Sequence, residues 1–380
     1  MPTLDTTRPE GERDAERERL ARGSQAVQRG KCAVVVAAGG MGTRLGLSIP
    51  KGCFSIMPAE SETETEGETE GEGERGWTLF AVMCARIRSL QASTTSSLGS
   101  CAPVPLVIMC SPNNVHVTRT YFEEHSYHGL QPSQVHFFVQ GELPCLGETG
   151  NILLQTPSSV AVSADGNGGV FGGLIQSGVL AELEAKGVEY IHFVPVDNVL
   201  CIPCDPVMLG MAETLGLSCI NKVLEKKLPG EKVGVVGVAG SPKDPTPVVV
   251  EYSELGEEEA ARREADGSGR LVFRHANIAQ HLFRTDFIKG LSLPLPLHWA
   301  HKKVPHYDPD SATQVTPEEP NGWKAEMFVF DAFSQCPATK LGIFVCERER
   351  EFLPLKQRGD IPAIQAALKD TLEKGDLTYA

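Results

Sequence analysis

The chain has 380 residues, a formal net charge of −14, 41% apolar residues and 22% charged residues. That composition excludes a disordered chain, and the acidic balance excludes a broad nucleic-acid or membrane surface, which calls for clustered Lys and Arg. Eleven cysteines follow no regular framework, the N-terminus "MPTLDTTRPEGERDAERERLARG" has no apolar centre of a secretory signal, and no apolar run nears the ~20 residues of a membrane span, so a soluble, reduced, cytoplasmic protein is expected.

The length fits one large domain or two modest ones. Residues 1–30 are dense in Glu and Arg and read as a short exposed helix or a disordered arm. From Lys31 the pattern changes: "CAVVVAA" is a continuous apolar run, the mark of a strand buried on both faces of a parallel sheet. Residues 59–76 form an acidic repeat with no apolar group to drive ordering, and read as a solvated loop. "TLFAVMCARIRSL" has helical spacing, and "VPLVIMC" and "QVHFFVQG" read as a second and third strand. The order strand, helix, strand favours a parallel sheet.

Further along, "GGLIQSGVLAELEAKG" predicts one helix ending at Gly187, and "VEYIHFVPVDN" a strand with Pro195 near its end. "KVGVVGVAG" and "TPVVVEYSEL" read as paired strands joined by the turn-rich "SPKDP". "RLVFRHANIAQHLFRTDFI" passes from strand to helix, with "HLFRTDF" on the helical side. "CEREREF" reads as a solvated strand edge or helix face, and residues 357–380 as a short tail with one helix after Pro362.

Three features carry chemistry. The first is "VVVAAGGMGTRLGLSIPKG", a glycine loop directly after a buried strand, where backbone N–H groups can converge on an anion. It lacks the Gly-Lys-Ser/Thr of a P-loop, and Leu45 stands where a dinucleotide fingerprint needs its third glycine. Arg44 and Lys51 flank the loop and can reach one polyphosphate from opposite ends, Arg as a planar fork and Lys as a point charge. A tight turn with two solvated cations is the alternative reading.

The second feature is Asp197 in "VPVDN", at the carboxyl end of a strand, where ligands of open α/β sheets collect. Its carboxylate is a candidate magnesium ligand, and equally a candidate helix cap. The third is "DGNGGVFGG", five glycines before a helix, which suits close approach to a planar base or sugar but also a hinge. "CIPC" has no second Cys or His pair at zinc-site distance, and His275, His281, His298, His301 and His306 read as structural or surface groups.

Taken in order, "AAGGMGTRLG…PKG", "QGELPC", "DGNGG", "VDN", "VVEYSE", "NIAQHLF", "EEPNGWKAE…FVFD" and "FLPLK" resemble the eukaryotic UDP-N-acetylglucosamine pyrophosphorylase family, which are UTP-dependent uridylyltransferases. The likeness spans most of residues 31–356, and "DGNGG" looks more like this family than like the UDP-glucose pyrophosphorylases. The resemblance implies an α/β fold with a GT-A-like, Rossmann-related mixed sheet flanked by helices, of the nucleotide-diphospho-sugar transferase type. It implies in-line attack of N-acetylglucosamine 1-phosphate on the α-phosphorus of UTP, with pyrophosphate leaving and Mg²⁺, or Mn²⁺, as cofactor.

Carried over by residue, the resemblance implies catalytic roles for Arg44, Lys51 and Lys324, and a nucleotide site from Ala38, Gly39, Gly40, Met41, Gln140 and Gly166. Asn167, Glu251, Tyr252, Asn277 and Lys356 would contact the sugar phosphate, and Asp197 the metal. Met327 stands where the family commonly has a second lysine. The family's β-rich C-terminal domain is expected to be absent, since only residues 357–380 follow Lys356, and a monomer is preferred over an oligomer. The rival readings are the same fold acting on N-acetylgalactosamine 1-phosphate or glucose 1-phosphate, and a catalytically weak UDP-sugar-binding homologue. A nicotinamide oxidoreductase fails on its glycine spacing.

Overall fold

A computed structural model describes residues 10–42, 45–46, 48–57, 76–241, 244–252 and 254–373. Arg44 and all of the acidic repeat except Gly76 lie outside the described residues. The centre is a nine-stranded mixed sheet. Its parallel half runs in the order Val135–Val139, Leu106–Cys110, Cys32–Ala37, Tyr190–Pro195. All five residues of Leu106–Cys110 and the first five of Cys32–Ala37 are buried, as continuous apolar runs require.

The sheet then reverses direction. His275–Arg284 lies antiparallel to Tyr190–Pro195 and also pairs with Cys219–Glu225, which runs parallel to Leu341–Cys346. The hairpin Val235–Ser241 and Asp244–Val250 joins at Val235, opposite Ala276. Pro195 ends its strand, where its missing N–H costs no ladder bond.

Alternation along each strand divides the core into two layers. Val34, Val36, Leu106 and Ile108 face one side with Phe80 and Leu90. Ala33, Val35, Val107 and Met109 face the other with Phe171, Phe283 and Phe333. Each fully buried side chain of this size contributes about 1.5–3 kcal/mol over exposure. Helix Leu79–Leu98 covers the first layer. The Thr78 hydroxyl accepts from Ala81 N–H (3.0 Å) to start it, and Gly99 in the left-handed region ends it.

A two-stranded pair, Ser55–Met57 with Trp77–Thr78, precedes that helix and brings the chain on either side of residues 58–75 to adjacent points. Among the described residues no helix is long and apolar enough to cross a membrane.

Five sequence expectations change. Of the two readings of the N-terminal region the helix is found, Glu10–Gln28, but it is docked rather than exposed, on helix Pro206–Leu215 with Ala26 and Val27 buried. Gly23 and Gly210 make that docking possible: a Cβ on Gly23 would overlap the Pro206 carbonyl, and one on Gly210 the Arg19 carbonyl. The single helix over 172–187 is two, Val170–Gln176 and Val179–Ala185, broken where Gly178 takes a positive φ of 80°. His281–Phe283 are strand, because three apolar-compatible positions beside two buried strands pair on both edges; the helix starts at Thr285.

Fourth, the run "CEREREF" is not simply solvated. Glu351 is buried and pairs with Lys222, whose side chain is fully buried and also meets Asp205 Oδ2 at 2.6 Å. Burial alone would push the Lys222 amine down, but Asp205 and Glu351 hold it well above its ordinary value. Residues read as a tail likewise join the core: helix Ile361–Glu373 buries Ile364 and Leu368, and its Gln365 amide donates to the Ile56 carbonyl (2.9 Å).

Candidate active site

The glycine loop leaves strand Cys32–Ala37 at the carboxyl end of the parallel half, where the sheet reverses. Its base is tied by its own backbone: Lys51 N–H donates to the Gly40 carbonyl (3.2 Å), and Gly42 N–H to the Ile49 carbonyl (3.0 Å). Met41 bridges Pro50. Ala38 is buried and already satisfied, its N–H on the Met109 carbonyl and its carbonyl taken by the Asn114 amide (2.9 Å). Gly39 lies against the Gln140 side-chain amide, so these two residues form one wall.

A cavity of about 270 Å³ opens between this loop and the end of strand Tyr190–Pro195, lined by Gly40, Met41, Leu45, Lys51, Val196 and Asp197. Asp197 is the centre of charge. Its Oδ2 accepts from Lys51 Nζ at 2.8 Å and Lys356 Nζ at 3.1 Å. Burial pushes this carboxyl up, but Lys356 and Lys51 outweigh burial and hold it below the ordinary range, so it is ionised at neutral pH. Its Oδ1 is buried with no hydrogen-bond partner.

Three of the sequence-selected residues from distant positions, Lys51, Asp197 and Lys356, thus meet at one carboxylate oxygen. The segment carrying Lys356 is pinned beside Asp197 by backbone groups. Leu355 N–H donates to the Asp197 carbonyl (2.9 Å), and Asn198 takes Leu353 N–H on its Oδ1 (2.9 Å) while its amide donates to the Glu351 carbonyl (2.7 Å). Asn198 and Asn114 were missed as site-building residues. Asn198 lay in a quoted motif, while nothing local marks Asn114.

The third glycine stretch borders strand Gly322–Glu326. Gly166 has φ +87°, and Gly168 N–H donates to the Met327 carbonyl (2.9 Å). The Asn167 side-chain oxygen accepts from Val329 N–H (2.8 Å). Met327 is buried, and its backbone rather than its side chain serves the loop.

Glu251, at the end of strand Asp244–Val250, lies over Gly234, whose carbonyl accepts Asn277 N–H (2.8 Å). Burial and Glu254 push the Glu251 carboxyl up, opposed by His298. Tyr252 is half exposed. Lys324 does not join the Asp197 cluster: it lines a separate cavity of about 440 Å³ with Gln155, Thr156, Val162 and Gln314. Arg44 lies outside the described residues.

The chemistry available is phosphate binding with charge stabilisation: a loop of backbone donors, two lysines and one ionised carboxylate with a spare oxygen. That spare oxygen fits a divalent cation shared with substrate phosphates, since Mg²⁺ sites commonly use one or two carboxylates plus phosphate oxygens.

The family model described as UTP--glucose-1-phosphate uridylyltransferase matches residues 5–378. The chain is 34% identical over 352 residues to UDP-N-acetylglucosamine pyrophosphorylase of Saccharomyces cerevisiae, covering 91% of this chain and 69% of that protein. It is 38% identical over 339 residues to UDP-N-acetylhexosamine pyrophosphorylase-like protein 1 of Xenopus tropicalis, covering 88% of this chain and 61% of that protein. The solved uridine diphosphate N-acetylglucosamine pyrophosphorylase of Trypanosoma brucei, in complex with inhibitor, superposes with a TM-score of 0.79 at 30% identity, covering 97% of this chain and 70% of that one.

Proposed function

The chain belongs to the UTP--glucose-1-phosphate uridylyltransferase family, and from that membership we propose that it converts UTP and N-acetylglucosamine 1-phosphate to UDP-N-acetylglucosamine and pyrophosphate. The names of the relatives support the amino sugar over glucose. The observation that carries the chemistry is the meeting of Lys51 and Lys356 on Asp197 at the mouth of the glycine-loop cavity.

The sugar phosphate attacks the α-phosphorus in line and pyrophosphate departs. Its oxygens are ionised at neutral pH, so the reaction asks the protein for position and charge rather than for a nucleophile or base. The glycine loop holds the triphosphate through backbone donors, with Gln140 beside Gly39 on the base side. Lys51 and Lys356 reside on Asp197 and turn to phosphate oxygens as these arrive, one toward the nucleotide and one toward the sugar phosphate. Asp197 Oδ1 would hold Mg²⁺, which when bound neutralises phosphate charge. Eleven free cysteines support a reducing, cytoplasmic setting.

The test is pyrophosphate release with UTP and Mg²⁺ against a panel of sugar 1-phosphates. Preference for N-acetylglucosamine 1-phosphate, and a loss of about 10²- to 10³-fold in kcat on Asp197→Asn, is expected on the scale of a removed charge-stabilising group. UTP binding without turnover on any sugar would instead mark a UDP-sugar-binding homologue.

A further inference from the structure

We propose that Arg358 and Asp360 form a clasp that couples the glycine loop to Lys356, with Arg358 acting as a positioning residue for the triphosphate cradle. The inference rests on the proposed uridylyl transfer for its kinetic consequence, and on geometry alone for its structural one. Neither residue falls within the motifs that carry the family resemblance, which end at Lys356.

Among the described residues, backbone pairs tie the loop between Gly40 and Lys51 at its base. Its far end holds through Leu45. The Leu45 side chain is buried in the first core layer, and its N–H donates to the Gly42 carbonyl (2.8 Å). Its carbonyl accepts from Arg358 Nε at 2.8 Å. The guanidinium reaches over Gly46, whose Cβ position would lie 3.6 Å from Arg358 Nη2. Arg358 therefore holds the loop at Leu45 from outside, across 313 residues of sequence.

The same short turn sets Lys356. Asp360 Oδ2 accepts both Lys356 N–H (2.7 Å) and Gln357 N–H (2.8 Å), a capping arrangement that fixes the chain immediately after the lysine. Lys356 then reaches Asp197. One end of the turn thus grips the carboxylate at the strand end, and two residues later the turn grips the loop facing it. Helix Ile361–Glu373, packed into the core at Ile364 and Leu368, gives the turn a rigid support.

The consequence is a shared constraint. A loop freed at Leu45 must be ordered again when triphosphate binds, and that cost falls on UTP affinity rather than on the chemical step. Loss of one partly exposed hydrogen bond, at the net value of an ordinary one, corresponds to a roughly two- to tenfold effect.

Arg358→Ala, an exposed substitution that leaves the core intact, is compared with wild type by amide hydrogen exchange at Gly42 and Leu45 and by kinetics with UTP and N-acetylglucosamine 1-phosphate varied separately. Faster exchange at both amides is expected, with KM for UTP raised roughly two- to tenfold, kcat little changed, and partial recovery of both in Arg358→Lys. Unchanged exchange at Gly42 and Leu45, or a kcat loss with KM for UTP unchanged, overturns the clasp. Wild-type protein without turnover on any sugar phosphate would sink the uridylyl-transfer reading, while the exchange measurement would still decide the clasp.

Discussion

Lys222 Nζ and Asp205 Oδ2 meet at 2.6 Å in the interior, the lysine side chain wholly shielded from solvent. The same amine pairs with Glu351, and Asp205 Oδ1 caps helix Pro206–Leu215 through Val207 N–H (2.9 Å). Strand, helix and the segment leading to Lys356 are therefore joined at one buried charge. Lys222→Met leaves two carboxylates unpaired in the core and should cost about 3–5 kcal/mol. Urea unfolding followed by circular dichroism measures it; a loss below about 1 kcal/mol would mean that the carboxylates find water or protons instead.

The docking of the first helix rests on bare backbone at Gly23 and Gly210. Gly23→Ala should raise helix propensity yet destabilise the protein by about 1–3 kcal/mol, because the new methyl must displace the Pro206 carbonyl. Limited proteolysis within Glu10–Gln28 is the direct readout. Resistance equal to wild type would show that the interface yields without cost.

His281 has both ring nitrogens buried and unpartnered, stacked on Phe193 and edge-on to Phe333. Burial lowers its pKa from 6.5 to about 3. Below pH 6.5 the unfolded chain takes up a proton that the folded protein refuses until about pH 3. The contribution to stability is full above 6.5 and is lost as pH falls through that window, by up to about 1.4 kcal/mol per pH unit. His281→Phe should flatten the acid side of the stability profile between pH 6 and 4, by about that slope. An unaltered slope would assign the acid loss to other groups.

Gly166 combines φ +87° with a close approach to the Met327 carbonyl. Gly166→Ala should keep the fold and raise KM for UTP by roughly tenfold, since the strained loop no longer seats a flat base. Kinetics against UTP at saturating sugar phosphate checks this, and an unchanged KM would remove Gly166 from the nucleotide site.

Much of the fold was legible where a pattern is local. Cys32–Ala37 and Leu106–Cys110 declared themselves as continuous apolar runs, and the Val235–Val250 hairpin through its turn residues. His281–Phe283 misled because a short apolar run carries no period, and its pairing with strands on both sides decides its state. Asp197 was legible from its position after a buried strand. Glu351 was not, because its partner Lys222 lies 129 residues away and a charge run viewed alone looks solvated. Lys324 came from resemblance, and its cavity is not the one that Lys51 and Asp197 line. Arg358 had no local signal, since an arginine contacting a distant carbonyl leaves no periodic trace.

The two-stranded pair Ser55–Met57 with Trp77–Thr78 brings the chain on either side of residues 58–75 to adjacent positions, with a register irregularity between Ser55 and Met57. Ile56 is buried at its base and bonded to Gln365. Loop closure costs change by only about 0.6 kcal/mol for each doubling or halving of length. Met57 and Trp77 are therefore a natural graft port: a reporter peptide or a fluorescent tag with nearby termini, joined between these two anchor points, should add little closure cost.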